Sequence, residues 1–272
     1  MDTFREIRVS SLGELIDKST PREPDRASGR RRNYSVYRGT SDPQFGLLTG
    51  LDKLGDCNPP HSKAHLEEHI LRNFIRYARP YLHDRDVTDW ELLISAQHHG
   101  VPTRLLDWSY SPLVAAHFAT LREEANADCV IWQLDWRRLH EHFGLKPLAF
   151  LVSDLDELLR EKGYHSAWDL ISGQAEGKEP FVCMLEPPGL DQRIMVQSAA
   201  FTLSSVKTRS FEAILREQKL VDCLVKFVVP AEKVGFVRDQ LDLCSVDERC
   251  LFPDLDGVAA EIKRYYSATA SE

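Results

Sequence analysis

The chain has 272 residues, 43% of them hydrophobic, and a formal net charge of -8. That length and apolar content suffice for a large core in one domain without disulfide or metal staples, and the acidic balance opposes non-specific attraction to nucleic acid. The six cysteines show no CxxC spacing, the N-terminus has no apolar leader, and no run approaches 18 uninterrupted apolar residues, so reduced thiols, a cytoplasmic setting and no membrane span are expected.

Phe4 to Val9 alternates like a strand, and Ser11 with Glu14 predicts a capped helix ending near Lys18. Residues 21–33 read as a loop with Arg22, Arg26, Arg30, Arg31 and Arg32, either a solvated segment or a basic rim for an anion or nucleic acid. Tyr34 to Gly39 has strand composition. Leu66, Ile70, Phe74 and Tyr77 recur at helical spacing, predicting a helix from Ser62 to about Arg79 that Pro80 stops. Thr88 and Glu91 form a capping box for a helix that Gly100 closes, and Ser111-Pro112 opens another over Leu113 to about Glu124. The short segment between these two helices must be a strand or tight connection.

Further strands are expected at Cys129–Leu134, Phe181–Leu185, Arg193–Gln197, Phe201–Ser204 and Leu224–Val229. Helices are expected from Ser153 to Gly163, at Phe211–Glu217, from Ala231 to about Leu241, and from Leu255 to Tyr265. No repeat appears, so the predicted class is one α+β domain with a mixed or split sheet and flanking helices. Residues 1–33 form an N-terminal strand, helix and basic loop, 34–266 the main domain, and 267–272 a disordered tail.

Polar side chains crowd Ala96 to Trp108 in a stretch that the helix signals set against the core, and buried polar groups need partners. One account is structural: Arg104 pairs with Asp107, and His98 satisfies a helix C-terminus. The other makes Gln97, His98, Thr103, Arg104 and Asp107 the lining of a small-molecule cleft, with Trp108 as an apolar or stacking wall. Arg38 fits the second account, since its fork can clamp a phosphate or carboxylate and Gly39 lets a ligand approach the backbone. His61, His65 and His69 share a helical spacing, but Leu66 and Ile70 define the buried face of that helix and no HExxH is present, so no metal is expected. GxSxG, Walker and dinucleotide glycine signatures are missing.

Four blocks resemble the FRG-domain proteins, named for a Phe/Tyr-Arg-Gly motif: Val36 to Gly39, Ala96 to Ala119, Gln192 to Thr202 and Leu251 to Gly257. The resemblance implies a bacterial or phage protein of defence or toxin type, and the layout is similar to the ADP-ribosyltransferases. By that likeness NAD would be the substrate. Arg38 would bind its pyrophosphate or ribose, Thr103 and Trp108 would frame the nicotinamide side, and Gln197 would hold the late-strand position. Active transferases use Glu at that last place, whereas here Glu186 lies eleven residues upstream and Asp107 is the nearest alternative carboxylate. The implied partners are a nucleotide and a protein or nucleic-acid acceptor, and the competing expectation is a nucleotide-sensing or protein-binding module without turnover. The Leu251 to Gly257 block is expected to be architectural, with Asp254 as the N-cap of the last helix.

Overall fold

Strands and helices alternate irregularly along the chain, and in the computed structural model all seven strands join one mixed sheet. The structure describes residues 3–25, 28–42, 46–55, 63–81, 87–121, 127–172, 178–189, 192–206 and 209–267. The sheet order is β1 (Arg5–Arg8), β7 (Leu224–Val229), β4 (Cys129–Asp135), β2 (Ser35–Thr40), β3 (Leu105–Ser109), β6 (Ala199–Ser204) and β5 (Val182–Leu185). Only β1 and β7 run parallel; the other neighbours are antiparallel. This bears out the α+β class and the single-domain expectation, since among the described residues every strand belongs to this one sheet.

The pairing is uneven, and that unevenness makes the site. Strand β2 pairs with β4 along its whole length, from Ser35 opposite Asp135 to Thr40 opposite Val130. Strand β3 pairs with β6 over all five of its residues. Between β2 and β3 only Tyr37 and Ser109 are in register. The sheet therefore splays into β1-β7-β4-β2 and β3-β6-β5, and the gap must be closed by side chains because main-chain polar groups seldom stay unpaired.

Strand alternation sends β2 residues to two cores. Val36 joins the large cluster with Trp90, Leu105, Trp108 and Phe181, while Tyr37 joins the smaller one beneath α1 (Leu12–Ser19), α4 (Pro112–Ala119) and α10 (Ala231–Leu243). Gly39 lies on Tyr37's side, and there α4 comes so close that a Cβ at residue 39 would sit 1.9 Å from the Ala115 carbonyl oxygen and 2.5 Å from the Ala119 nitrogen. The space that glycine leaves open is filled by a helix backbone, not by a ligand. That corrects the expected role of Gly39.

Local capping signals are realised where the sequence places them. Thr88 caps α3 (Asp89–His98) in a capping box with Glu91, Ser111 accepts from the Val114 N–H at the start of α4, and Asp254 accepts from the Gly257 N–H to open α12 (Leu255–Tyr266). The helix α2 spans Lys63–Ala78. The expected strand over Arg193–Gln197 is instead a short helix, α8 (Gln192–Val196), followed by a turn with Ser198 at φ 47°. Tertiary partners settle it: the Gln197 carbonyl accepts from the Ser109 hydroxyl at 2.7 Å and the Ser198 carbonyl from the Tyr110 N–H at 3.0 Å, so the turn is pinned to the end of β3. Helix α4 ends at Ala119, earlier than expected, and α6 (Val152–Glu161) starts at Leu151, whose N–H is capped by Asp154, rather than at Ser153. Among the described residues no helix is long and apolar enough to cross a membrane.

Candidate functional site

A cleft of about 590 Å³ opens where β2 and β3 part. Arg38, the residue after the last β2–β3 pair, reaches across the split. Its Nη1 donates to the Asp107 carbonyl oxygen at 2.8 Å and stands 3.4 Å from the carboxylate Oδ2. The guanidinium thus takes over a main-chain acceptor that strand pairing has abandoned. Its Nε–H is buried and has no hydrogen-bond partner among the described residues.

Asp107 is the exposed member of a strand with burial on either side, and its side chain keeps 53% of its accessibility. It is also held by Gln97 at the end of α3, whose Nε2 donates to Oδ1 at 2.8 Å and Oδ2 at 2.9 Å. The orientation of that amide follows from valence. A carboxylate only accepts, so Gln97 must present its NH₂ to Asp107 and its Oε1 to Thr103, whose hydroxyl donates at 2.6 Å. The same hydroxyl then accepts from the Leu105 N–H at 3.1 Å. A relay from the β3 backbone through Thr103 and Gln97 fixes the carboxylate.

Six of the eight residues picked from the sequence border the cleft: Arg38, Gln97, His98, Asp107, Trp108 and Gln197. Thr103 stands behind it as the relay's anchor, fully buried. Arg104 is elsewhere. It is 3% exposed, and its Nε and Nη2 clamp the Glu67 carboxylate of α2 at 2.6 to 3.1 Å, while Nη2 also donates to the Leu170 carbonyl of α7 (Ala167–Ser172). The expected Arg104–Asp107 pair is therefore replaced by two pairs, Arg104–Glu67 in the core and Arg38–Asp107 at the cleft.

Trp108 does not offer a stacking face. Its ring is 3% exposed, edge-on to Phe211, with its N–H given to Thr202 at 3.1 Å. The aromatic side chain with accessible surface at the cleft is Phe118 of α4, which packs edge-on against Phe252. Gln197 is not on the late strand but in the turn before it, and its Nε2 is committed to the Leu251 carbonyl at 2.9 Å. Glu186 accepts from the Tyr110 hydroxyl at 2.6 Å, burial first and this carboxylate second push the phenol's pKa up, and Glu186 is not among the described lining residues.

Two cations in the lining were not singled out from sequence, Lys53 and Arg193. Lys53 lies on a single 3₁₀ turn, Asp52–Leu54, held by reciprocal Thr49–Asp52 hydrogen bonds and by the Leu51 N–H donating to the Thr103 carbonyl at 3.1 Å. The spacing Thr49, Asp52 and Gly55 is the sequence signal that could have located it. Burial and the neighbouring Arg38 guanidinium lower the Lys53 pKa, with Asp107 offsetting part of the effect. The Arg193 guanidinium covers the Phe252 ring at 4.5 Å.

Outside the cleft, Arg31 of the basic loop donates to the Pro21 and Arg22 carbonyls, folding that loop on itself, and Arg26 lies outside the described residues. So do His61, Cys57 and the tail beyond Ser267. Among the described residues no three His, Cys, Asp or Glu side chains cluster as a metal site, and Cys129, Cys183, Cys223, Cys244 and Cys250 are free thiols.

No curated protein and no solved structure matches the chain. One family does, over β2 through α4, the stretch that carries Arg38, the relay and Asp107; the resembling blocks at Gln192 and Leu251 lie outside the match. Residues 33–128 match the FRG domain.

Proposed function

We propose that the cleft binds a dinucleotide of the NAD type, phosphates toward Arg38, and cleaves its nicotinamide–ribose bond in a cytoplasmic setting. The observation that carries the proposal is the Arg38–Asp107 pair at the split: a guanidinium with an unspent Nε–H beside a half-exposed, rigidly held carboxylate. As the bond to C1′ breaks, its electron pair leaves with nicotinamide and positive charge grows on the ribose. A carboxylate fixed in advance stabilises that charge without reorganising. The acceptor oxygen, from water or from a protein or nucleic-acid hydroxyl, then bonds C1′ and releases its proton. Asp107 takes the part expected of a late-strand glutamate, since Gln197 is an amide tied to Leu251.

A second reading, nucleotide binding without turnover, is favoured by one observation. Asp107 already accepts from Gln97 and Arg38, so part of its charge is offset before any ligand arrives. Incubation with NAD and chromatography of released nicotinamide separates the two. Release that disappears in Asp107→Asn supports cleavage; thermal protection by NAD without release supports binding alone; neither effect sinks both.

A further inference from the structure

We infer that Lys53 is an anion ligand of this cleft and that Lys53 and Arg38 together receive a diphosphate group. The inference rests on the proposed nucleotide site and specifies which charge the ligand must carry. Among the described lining residues Arg38, Lys53 and Arg193 are cationic, and Asp107 is the one carboxylate. Asp107 cannot neutralise them all, because its oxygens are shared between Arg38 and the Gln97 amide. Arg193 is occupied with the Phe252 ring. The uncompensated charge therefore falls on Lys53 and on the part of the Arg38 guanidinium that Asp107 does not use.

That part is also where a donor is missing its acceptor. Arg38 Nη1 is spent on Asp107, while Nε–H is buried and unpaired. An anion seated between the Arg38 guanidinium and the Lys53 ammonium would offset the charge that Asp107 leaves uncompensated. The lysine is exposed, but the turn that carries it is held in place, tied to the Thr103 carbonyl through Leu51 and packed so closely on Pro102 that a Cβ at Gly50 would stand 3.0 Å from the Pro102 Cα. Consistent with this, the site opposes the lysine's own charge, through burial and Arg38, until an anion is present. Two adjacent cations suit a pyrophosphate better than a neutral ligand or a single carboxylate, and a compact ammonium complements a forked guanidinium in holding one.

The test is calorimetric titration with inorganic pyrophosphate, with adenosine as the uncharged control. Wild-type protein should bind pyrophosphate and not adenosine alone. Lys53→Met should weaken pyrophosphate roughly tenfold or more, the loss of one charge-assisted contact, at an unchanged melting temperature, and Lys53→Arg should restore most of the affinity. Lys233→Met, at an exposed position on α10, should leave binding unchanged. Equal affinity in wild type and Lys53→Met, no binding by wild type, or equal weakening by Lys233→Met would overturn the inference. Nicotinamide release is measured separately on the same proteins. Pyrophosphate binding that depends on Lys53 without any effect of NAD removes the dinucleotide proposal and keeps the anion site; NAD cleavage indifferent to Lys53→Met does the reverse.

Discussion

Arg104→Leu tests whether the central block has been divided correctly between core and cleft. The substitution removes a guanidinium that is 3% exposed from a carboxylate that is 0% exposed. It deletes the Nε bonds to both Glu67 oxygens at 3.1 and 3.0 Å, the Nη2 bond at 2.6 Å and the bond to the Leu170 carbonyl at 2.9 Å, leaving the Arg104 main-chain N–H on Oε1. Breaking a buried pair from one side strands the other charge and costs about 3–5 kcal/mol. At about 2–4 °C per kcal/mol for a chain of this size, the melting temperature should fall by roughly 6–20 °C. Replacing Glu67 by leucine as well should recover most of the loss, since an apolar pair of similar volume is often as stable as the ion pair. Arg38→Ala, measured alongside, should cost less than ~1 kcal/mol and remove any ligand effect. Thermal and urea melts of the three variants decide it. If Arg104→Leu costs under about 1 kcal/mol, or the double variant is no better than the single, the structural assignment of Arg104 is wrong.

Gly39→Ala should be severely destabilising, by about 3 kcal/mol or more, because its methyl would meet the α4 backbone rather than a side chain that can swing aside; a normal melt would refute the close approach. His117 is buried and its pKa is held down to about 4 from 6.5, first by burial and then by Arg238, so the folded protein binds its proton less readily than the unfolded chain. Its contribution is complete above pH 6.5 and lost progressively toward pH 4, up to roughly 3 kcal/mol. His117→Gln should flatten the stability curve in that window, and parallel curves would exclude His117 as the cause. Asp254→Asn should leave stability within about 0.5 kcal/mol and turnover unchanged, since asparagine caps as well as aspartate; turnover falling a hundredfold in a folded variant would move Asp254 into the chemistry.

Where a structural decision is local, the sequence shows it. The Thr88–Glu91 box, the Ser111-Pro112 start and the Asp254 cap are each decided within four residues, and all three are present. The helices at Trp136–His142, Ala167–Ser172 and Glu248–Leu251 are seven residues or fewer, a length over which an apolar period seldom repeats clearly. At Arg193–Gln197 an apolar alternation resembled a strand, but Ser109 and Leu251, far away in sequence, hold the segment as a helix and turn. The crowding of polar groups between Gln97 and Asp107 coincides with the cleft. Dividing those groups required strand alternation: within Leu105–Ser109, Asp107 and Trp108 necessarily face opposite sides, so one can line a cleft while the other fills a core. The partner of Arg104, thirty-seven residues upstream, had no local signature.

The cleft cannot be assembled by the matched segment alone. Residues 33–128 end one position before β4, the strand that pairs with the whole of β2, and without it Arg38 has no platform. One wall is set by α4, which is pressed onto Gly39 on one side and carries His117 into a buried network on the other. There Arg238 bridges His117 Nδ1 at 2.9 Å and Glu248 at 2.9 Å, and Arg264 of α12 closes on Glu248 at 3.0 Å. The Leu251 to Gly257 block continues that wall: the Leu251 carbonyl holds Gln197, and the Phe252 ring packs on Phe118 beneath Arg193. Gly257 makes the bend possible, because a Cβ there would stand 1.9 Å from the Phe252 carbonyl oxygen. The C-terminal block therefore acts on the cleft by position, through packing and carbonyl acceptors. Substitutions in it should alter ligand affinity only together with stability, whereas those at Arg38, Lys53 and Asp107 should separate the two.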